Sequence, residues 1–253
     1  MPKKVSSKPK EDCKNGHTHF SNKKRAFEHF CNFNTITPEF RIVGNFPVKT
    51  HILSALWINM VGHKFDSCLS ESDVYGARLK RLKGEGANKE KPFNLAGIGS
   101  FKPYYQPYQQ WRNSGLSAIR SELEHKRPVI AVSLDLKSYY HTIDPSFITE
   151  LKFQETIGLV EDKVLSKTEQ EFTKKIVRLL KEWGKAASNF SKRLTTSAKA
   201  IPSGLVMGLT VSRVISNVLL CKWDKLIREE LAPVHYGRYV DDMFIVLHDG
   251  GKI

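Results

Sequence analysis

The chain has 253 residues, 40% apolar and 26% charged, which at roughly 100–200 residues per domain is enough for one large or two small domains with a buried core and excludes both a disulfide mini-protein and wholesale disorder. Lys and Arg number 40 against 26 acids, a formal charge of +14, and an excess of that size is the footprint of a polyanion partner, nucleic acid ahead of an acidic membrane surface. The four cysteines have no CxxC spacing, so a reducing cytoplasm is the expected location.

Residues 1–25 hold eight Lys/Arg against two acids and are expected to be a basic disordered arm. Cys13, His17, His19, His29 and Cys31 match no structural zinc pattern. Apolar residues at Leu53, Leu56, Trp57, Met60, Val61 and Phe65 predict an amphipathic helix over Thr50–Ser70. Tyr75–Lys91, with six basic residues and three glycines, reads as a charged loop or hairpin. Val129–Leu136 is nearly continuous apolar and reads as a strand buried on both faces. Helices are expected over 145–159 and 168–187, the second with Lys174, Lys175, Arg178, Lys181 and Lys185 exposed, and a long helix from Leu209 to Leu231. Val234–Tyr239 and Met243–His248, separated by Val240-Asp241-Asp242, predict a tight β-hairpin with acids at its tip. No apolar run of 18 residues is present to span a bilayer.

Two adjacent carboxylates at a hairpin tip and a third, Asp135, at the end of a strand about a hundred residues upstream would repel one another on a shared sheet unless cations sat among them. Magnesium is the natural occupant, and two such ions about 4 Å apart form the machinery of in-line phosphoryl displacement. Taken singly, Asp241 and Asp242 are also readable as a plain turn and Asp135 as a helix-capping acid after a strand.

Taken jointly, VIAVSLDLKSYYHTID, SGLVMGLTVSRVISNVLL and YVDD, in that order within residues 129–248, resemble the palm of reverse transcriptases. The resemblance covers roughly residues 45–250. Val206-Met207-Gly208 stands where the family usually has Pro-Gln-Gly, and the glycine-loop pattern from Gly204 to Arg213 is more similar to abortive-infection and other phage-defence reverse transcriptases of bacteria than to retron or group II intron enzymes.

The resemblance implies an α+β right-hand polymerase, with helical fingers over 26–128 and a palm over 129–253 whose antiparallel sheet is flanked by helices. It implies an RNA-directed DNA polymerase with two Mg²⁺, Mn²⁺ substituting, held by Asp135, Asp241, Asp242 and the Leu136 carbonyl. Tyr140 would gate the sugar against a 2′-hydroxyl, Gly208 would let backbone approach the nucleotide, and Arg78 and Lys80 would meet the triphosphate. The expected partners are an RNA template, a DNA product and dNTPs. The family continues past the hairpin into a thumb, so a missing carboxy-terminal part or a second chain is also expected. The alternative reading is a non-catalytic nucleic-acid-binding remnant.

Overall fold

The computed structural model describes residues 2–7, 36–40, 43–82, 93–94, 99–194 and 203–250. The Cys/His stretch from 13 to 31 and the basic residues from 83 to 91 lie outside the described residues. The chain divides into two compact units, Met1–Val43 and Gly44–Ile253. In the first, strand β1 (Pro2–Ser7) pairs antiparallel with β2 (Ile36–Phe40). Pro2–Ser7 falls within the stretch expected to be a basic arm. Main-chain pairing asks nothing of apolar side chains, so composition does not reveal it.

The second unit mixes helices with one small antiparallel sheet and is of the α+β class. Helix α1 (Val48–Trp57) runs through a π-helical turn, Ile58–Gly62, into α2 (His63–Ser67). The expected helix over 50–70 is present, but the extra residue of the π turn shifts its buried stripe. Trp57, Ile58, Val61 and Phe65 are buried, whereas Leu53, Leu56 and Met60 are exposed.

Helix α3 (Tyr105–Glu124) leads into β3 (Val129–Asp135), and the chain ends its described course in the hairpin β4 (His235–Tyr239) and β5 (Asp242–His248). The sheet order is β3-β5-β4. The expectation that β3 is buried on both faces is corrected: it is an edge strand, with Ile130 48% and Leu134 40% exposed. A nearly continuous apolar run signals a hydrophobic strand without saying how many neighbours cover it.

On one face of the sheet, α3 sets the Trp111 indole N–H on the Gly237 carbonyl at 2.9 Å and packs Trp111 against Phe244. Between β3 and β4 the chain forms α4 (Tyr139–Thr142), α5 (Leu151–Thr156), α6 (Lys167–Leu194), α7 (Thr210–Leu219) and α8 (Cys221–Leu231). The single helix expected from Leu209 to Leu231 is interrupted at Leu220. Ile227 of α8 covers the other face of the sheet with Tyr236, Met243 and Ile245. Helix α7 is the centre of the larger core: Val211, Ser212 and residues 214–218 are buried, leaving Arg213 exposed among them. Phe46, Trp57 and Leu79 share that core with Ile143, Leu180 and Val214, so the regions before and after residue 128 are packed together. Among the described residues, no helix is long and apolar enough to cross a membrane.

Candidate active site

The β3–β5 ladder ends with Asp135 directly opposite Asp242, and the β4–β5 ladder ends with Tyr239 opposite Asp242. Opposed residues project to the same face of a sheet, so the Asp135 and Asp242 side chains are neighbours, with Asp241 in the adjoining turn. Burial first, then the charges of Asp241 and Asp135, hold the Asp242 carboxyl above its ordinary range. That is the behaviour of a half-buried carboxyl with like charges beside it.

Val240 and Asp241 form the two-residue turn between the strands. Val240 has φ +62°, and Asp241 stays at negative φ. This is the pattern of a type II′ hairpin turn, whose first central position normally takes glycine. A β-branched residue there carries strain on the order of 1–3 kcal/mol, which persists only where the surroundings over-determine it.

Hard oxygen donors in mutual repulsion are the ligand chemistry a divalent cation such as Mg²⁺ accepts, and in kind these residues fit one. Among the described residues, no three His, Cys, Asp or Glu side chains are grouped as a ready-made cage. The Leu136 carbonyl accepts the Tyr139 N–H at 3.3 Å and retains a second lone pair.

A cavity of about 590 Å³ adjoins the hairpin tip, lined by Tyr140, Tyr239, Val240, Phe101, Thr210 and Arg213 among others. The adjacent tyrosines divide their roles. Tyr139 is 7% exposed and its hydroxyl donates to the Ser216 carbonyl at 2.6 Å, a core contact that leaves Tyr140 on the cavity wall. Arg213 brings a guanidinium 5.5 Å from the centre of the Phe101 ring. Tyr239 donates its hydroxyl to the Tyr104 carbonyl at 3.1 Å and meets Tyr108 edge to face.

Gly208 is not part of that wall. It has φ +123°, and a β-carbon there would lie 2.9 Å from the Gly44 carbonyl oxygen and 3.1 Å from the Phe46 ring. The close approach it permits is to the protein's own chain.

Arg78 is likewise corrected. It is 6% exposed, and its guanidinium donates to the Asp66 carboxylate at 3.1 Å and to the carbonyls of Ser70, Val74, Asp66 and Leu69 at 2.8–3.3 Å. Its five donors are used on acceptors at and beyond the carboxy-terminal end of α2, which helix geometry leaves without intrahelical partners. None remains for a triphosphate. Arg81 is turned the same way, onto the His63 carbonyl and Asp66. Lys80 lies between them, its backbone N–H on the Ser100 carbonyl at 2.8 Å, and is not among the cavity residues. Sequence reasoning looked for phosphate-facing cations in a basic loop, whereas the cavity draws Arg213 from the first turn of α7. The signal was available in its place three residues after Thr210, in the first helical turn beyond the glycine loop.

Two further polar residues are buried, Asn217 of the glycine-loop motif and Arg238, which was passed over, both 0% exposed. A lone Arg in HYGRY and a lone Asn in an apolar helix are residues that cannot be buried singly. Compared with known proteins, the chain matches no protein-family model and no curated protein.

Proposed function

We propose that the chain carries the fingers and palm of a reverse transcriptase of the bacterial phage-defence type, an RNA-directed DNA polymerase in which Asp135, Asp241 and Asp242 bind metal. The observation that carries this reading is the Asp135–Asp242 pair at the ladder end, with Asp241 in the strained turn beside it. Asp135, Asp241 and the Leu136 carbonyl would hold two Mg²⁺, for which Mn²⁺ substitutes, with Asp242 in support. The chemistry such ions would supply there is a lowered pKa for the attacking 3′-hydroxyl and neutralisation of triphosphate charge.

The chain's own residues supply position. Tyr140 presents its ring to the sugar of a nucleotide in the adjoining cavity and excludes a 2′-hydroxyl by contact, favouring deoxynucleotides. Arg213, at the mouth of α7 on that cavity, offers a planar fork suited to phosphate oxygens. Tyr239, held by Tyr104 and Tyr108, walls the site and limits water.

The deciding experiment measures labelled dNTP incorporation on a primed RNA with Mg²⁺ or Mn²⁺, alongside the thermal shift produced by metal alone. Asp241→Asn should abolish both. A metal-dependent shift indifferent to Asp241→Asn would discard the two-metal reading.

The second reading, a nucleic-acid-binding module without turnover, is favoured by the inward turn of Arg78 and Arg81 together with the exposed Lys175 and Arg178 on α6. It predicts steeply salt-dependent binding of RNA or DNA with no metal-dependent incorporation.

A further inference from the structure

Arg238 is 0% exposed on β4, and each of its five N–H donors has an acceptor. Nε and Nη2 grip the Asp224 carboxylate of α8, both at 2.6 Å. Nη2 also donates to the Asn217 carbonyl at 3.1 Å. Nη1 donates to the Asn217 side-chain oxygen at 2.7 Å and to the Val240 carbonyl at 2.8 Å. Four of the contacts tie Arg238 to α7 and α8. The fifth reaches the turn.

The Val240 carbonyl belongs to the peptide plane between Val240 and Asp241. Its direction sets ψ of Val240 and φ of Asp241, and so the direction in which the Asp241 side chain leaves the turn. The preceding peptide, between Tyr239 and Val240, is confined as well, so the turn is restrained on both sides of Val240 Cα. Gly76 lies so close that a β-carbon would be 2.8 Å from the Val240 nitrogen and 3.0 Å from the Tyr239 carbonyl carbon, and the Asn217 amide donates to the Gly76 carbonyl at 2.9 Å. Asn217 thus joins both restraints. A β-branched residue at φ +62° needs such over-determination to stay there.

We infer that Arg238, braced by Asp224 and Asn217, is a positioning residue that fixes the Val240–Asp241 peptide and thereby aims the Asp241 carboxylate. The consequence for metal binding rests on the reading proposed above, while the restraint on the turn does not. Lysine cannot take over this role, because a single ammonium has three donors and no planar fork to reach Asp224, Asn217 and Val240 together.

The test compares the full chain, Arg238→Lys, Asn217→Ala and Asp241→Asn by amide hydrogen exchange at residues 240–242 and by Mn²⁺ titration. Arg238→Lys keeps a cation beside Asp224, and Asn217→Ala leaves the Arg238–Asp224 pair intact, so one variant serves where the other fails to fold. In a folded variant, exchange in the turn should quicken at least about fivefold, the worth of one lost hydrogen bond, while Ile245–Leu247 of β5 stays protected. Mn²⁺ affinity should fall about tenfold or more, as for the loss of a residue that orients a ligand. Unchanged exchange in the turn of a folded variant would overturn the inference. If the wild type binds Mn²⁺ no better than Asp241→Asn, the two-metal reading fails and the exchange result still decides the role of Arg238. If Asp241-dependent Mn²⁺ binding survives Arg238→Lys with the turn still protected, the inference fails and the two-metal reading stands.

Discussion

Asp135 and Asp242 face each other as the last pair of the β3–β5 ladder, although 107 positions separate them in the chain. Backbone pairing fixes their β-carbons side by side, so only side-chain rotation can separate the two carboxylates. The repulsion is therefore built into the fold.

Relieving that repulsion should stabilise the protein. In EDTA at pH 7, Asp242→Asn is expected to raise the melting temperature by about 1–2 °C, corresponding to about 0.5 kcal/mol for a partly exposed like-charge contact. The folded state holds the Asp242 proton to a higher pH than the unfolded chain does. The stability linked to that proton is complete below the unfolded value and is lost as pH rises through the folded one. The advantage of the variant should thus vanish below about pH 4 and grow above it, read by thermal melts across pH. An advantage that is constant across pH would contradict the charge explanation.

Arg78→Ala should destabilise the fold by about 3–5 kcal/mol, because it leaves Asp66 buried with half its ion pair removed and takes the guanidinium from four carbonyls, of which those of Asp66 and Ser70 keep a backbone donor. Urea denaturation measures this. A variant of wild-type stability that has instead lost affinity for nucleoside triphosphate would restore Arg78 to the substrate side.

Tyr139 and Tyr140 should separate in their effects. Tyr139→Phe leaves the Ser216 carbonyl without its donor, at a cost of about 1–2 kcal/mol in stability. Tyr140→Ala removes a ring that also packs against the core, so its distinguishing effect is on selectivity: in the folded variant, incorporation of ribonucleotides should rise relative to deoxynucleotides. Competition assays with the two sugar classes provide the readout, and an unchanged ratio would remove Tyr140 as the sugar gate.

Gly76→Ala inserts a methyl group against the Val240 backbone, and overpacking of that kind costs about 1–3 kcal/mol. The damage should be local, with amide exchange quickening at 240–242 before the rest of β4 and β5. Uniform quickening across the sheet would show that Gly76 supports the fold generally and not the turn in particular.

Much of the local structure was legible from residue order alone. The hairpin was readable because two short apolar runs flank acids at the turn. The helix expected over 145–159 divides at the extended Glu150 into a 3₁₀ turn, Pro145–Thr149, and the short α5, whereas the helices at 50–70 and 168–187 were readable in outline because side-chain periodicity is a local property. The three acids drew attention for the same reason, since repelling residue types at strand ends invite an explanation wherever they stand. What each residue touches was not legible. Arg78 and Arg213 are the same side chain, yet the one in the basic segment is consumed by the end of α2 and the one in an apolar helix lines the cavity. Gly208 spends its freedom on Gly44 and Phe46, more than 160 positions away in sequence. Arg238 meets Asn217, Asp224 and Val240 only once α7, α8 and the hairpin have packed. Hydrophobic patterning acts over a few residues and sets which elements form. The partner of a buried charge is chosen by whichever acceptors the packed elements leave unsatisfied, and only the tertiary structure decides that.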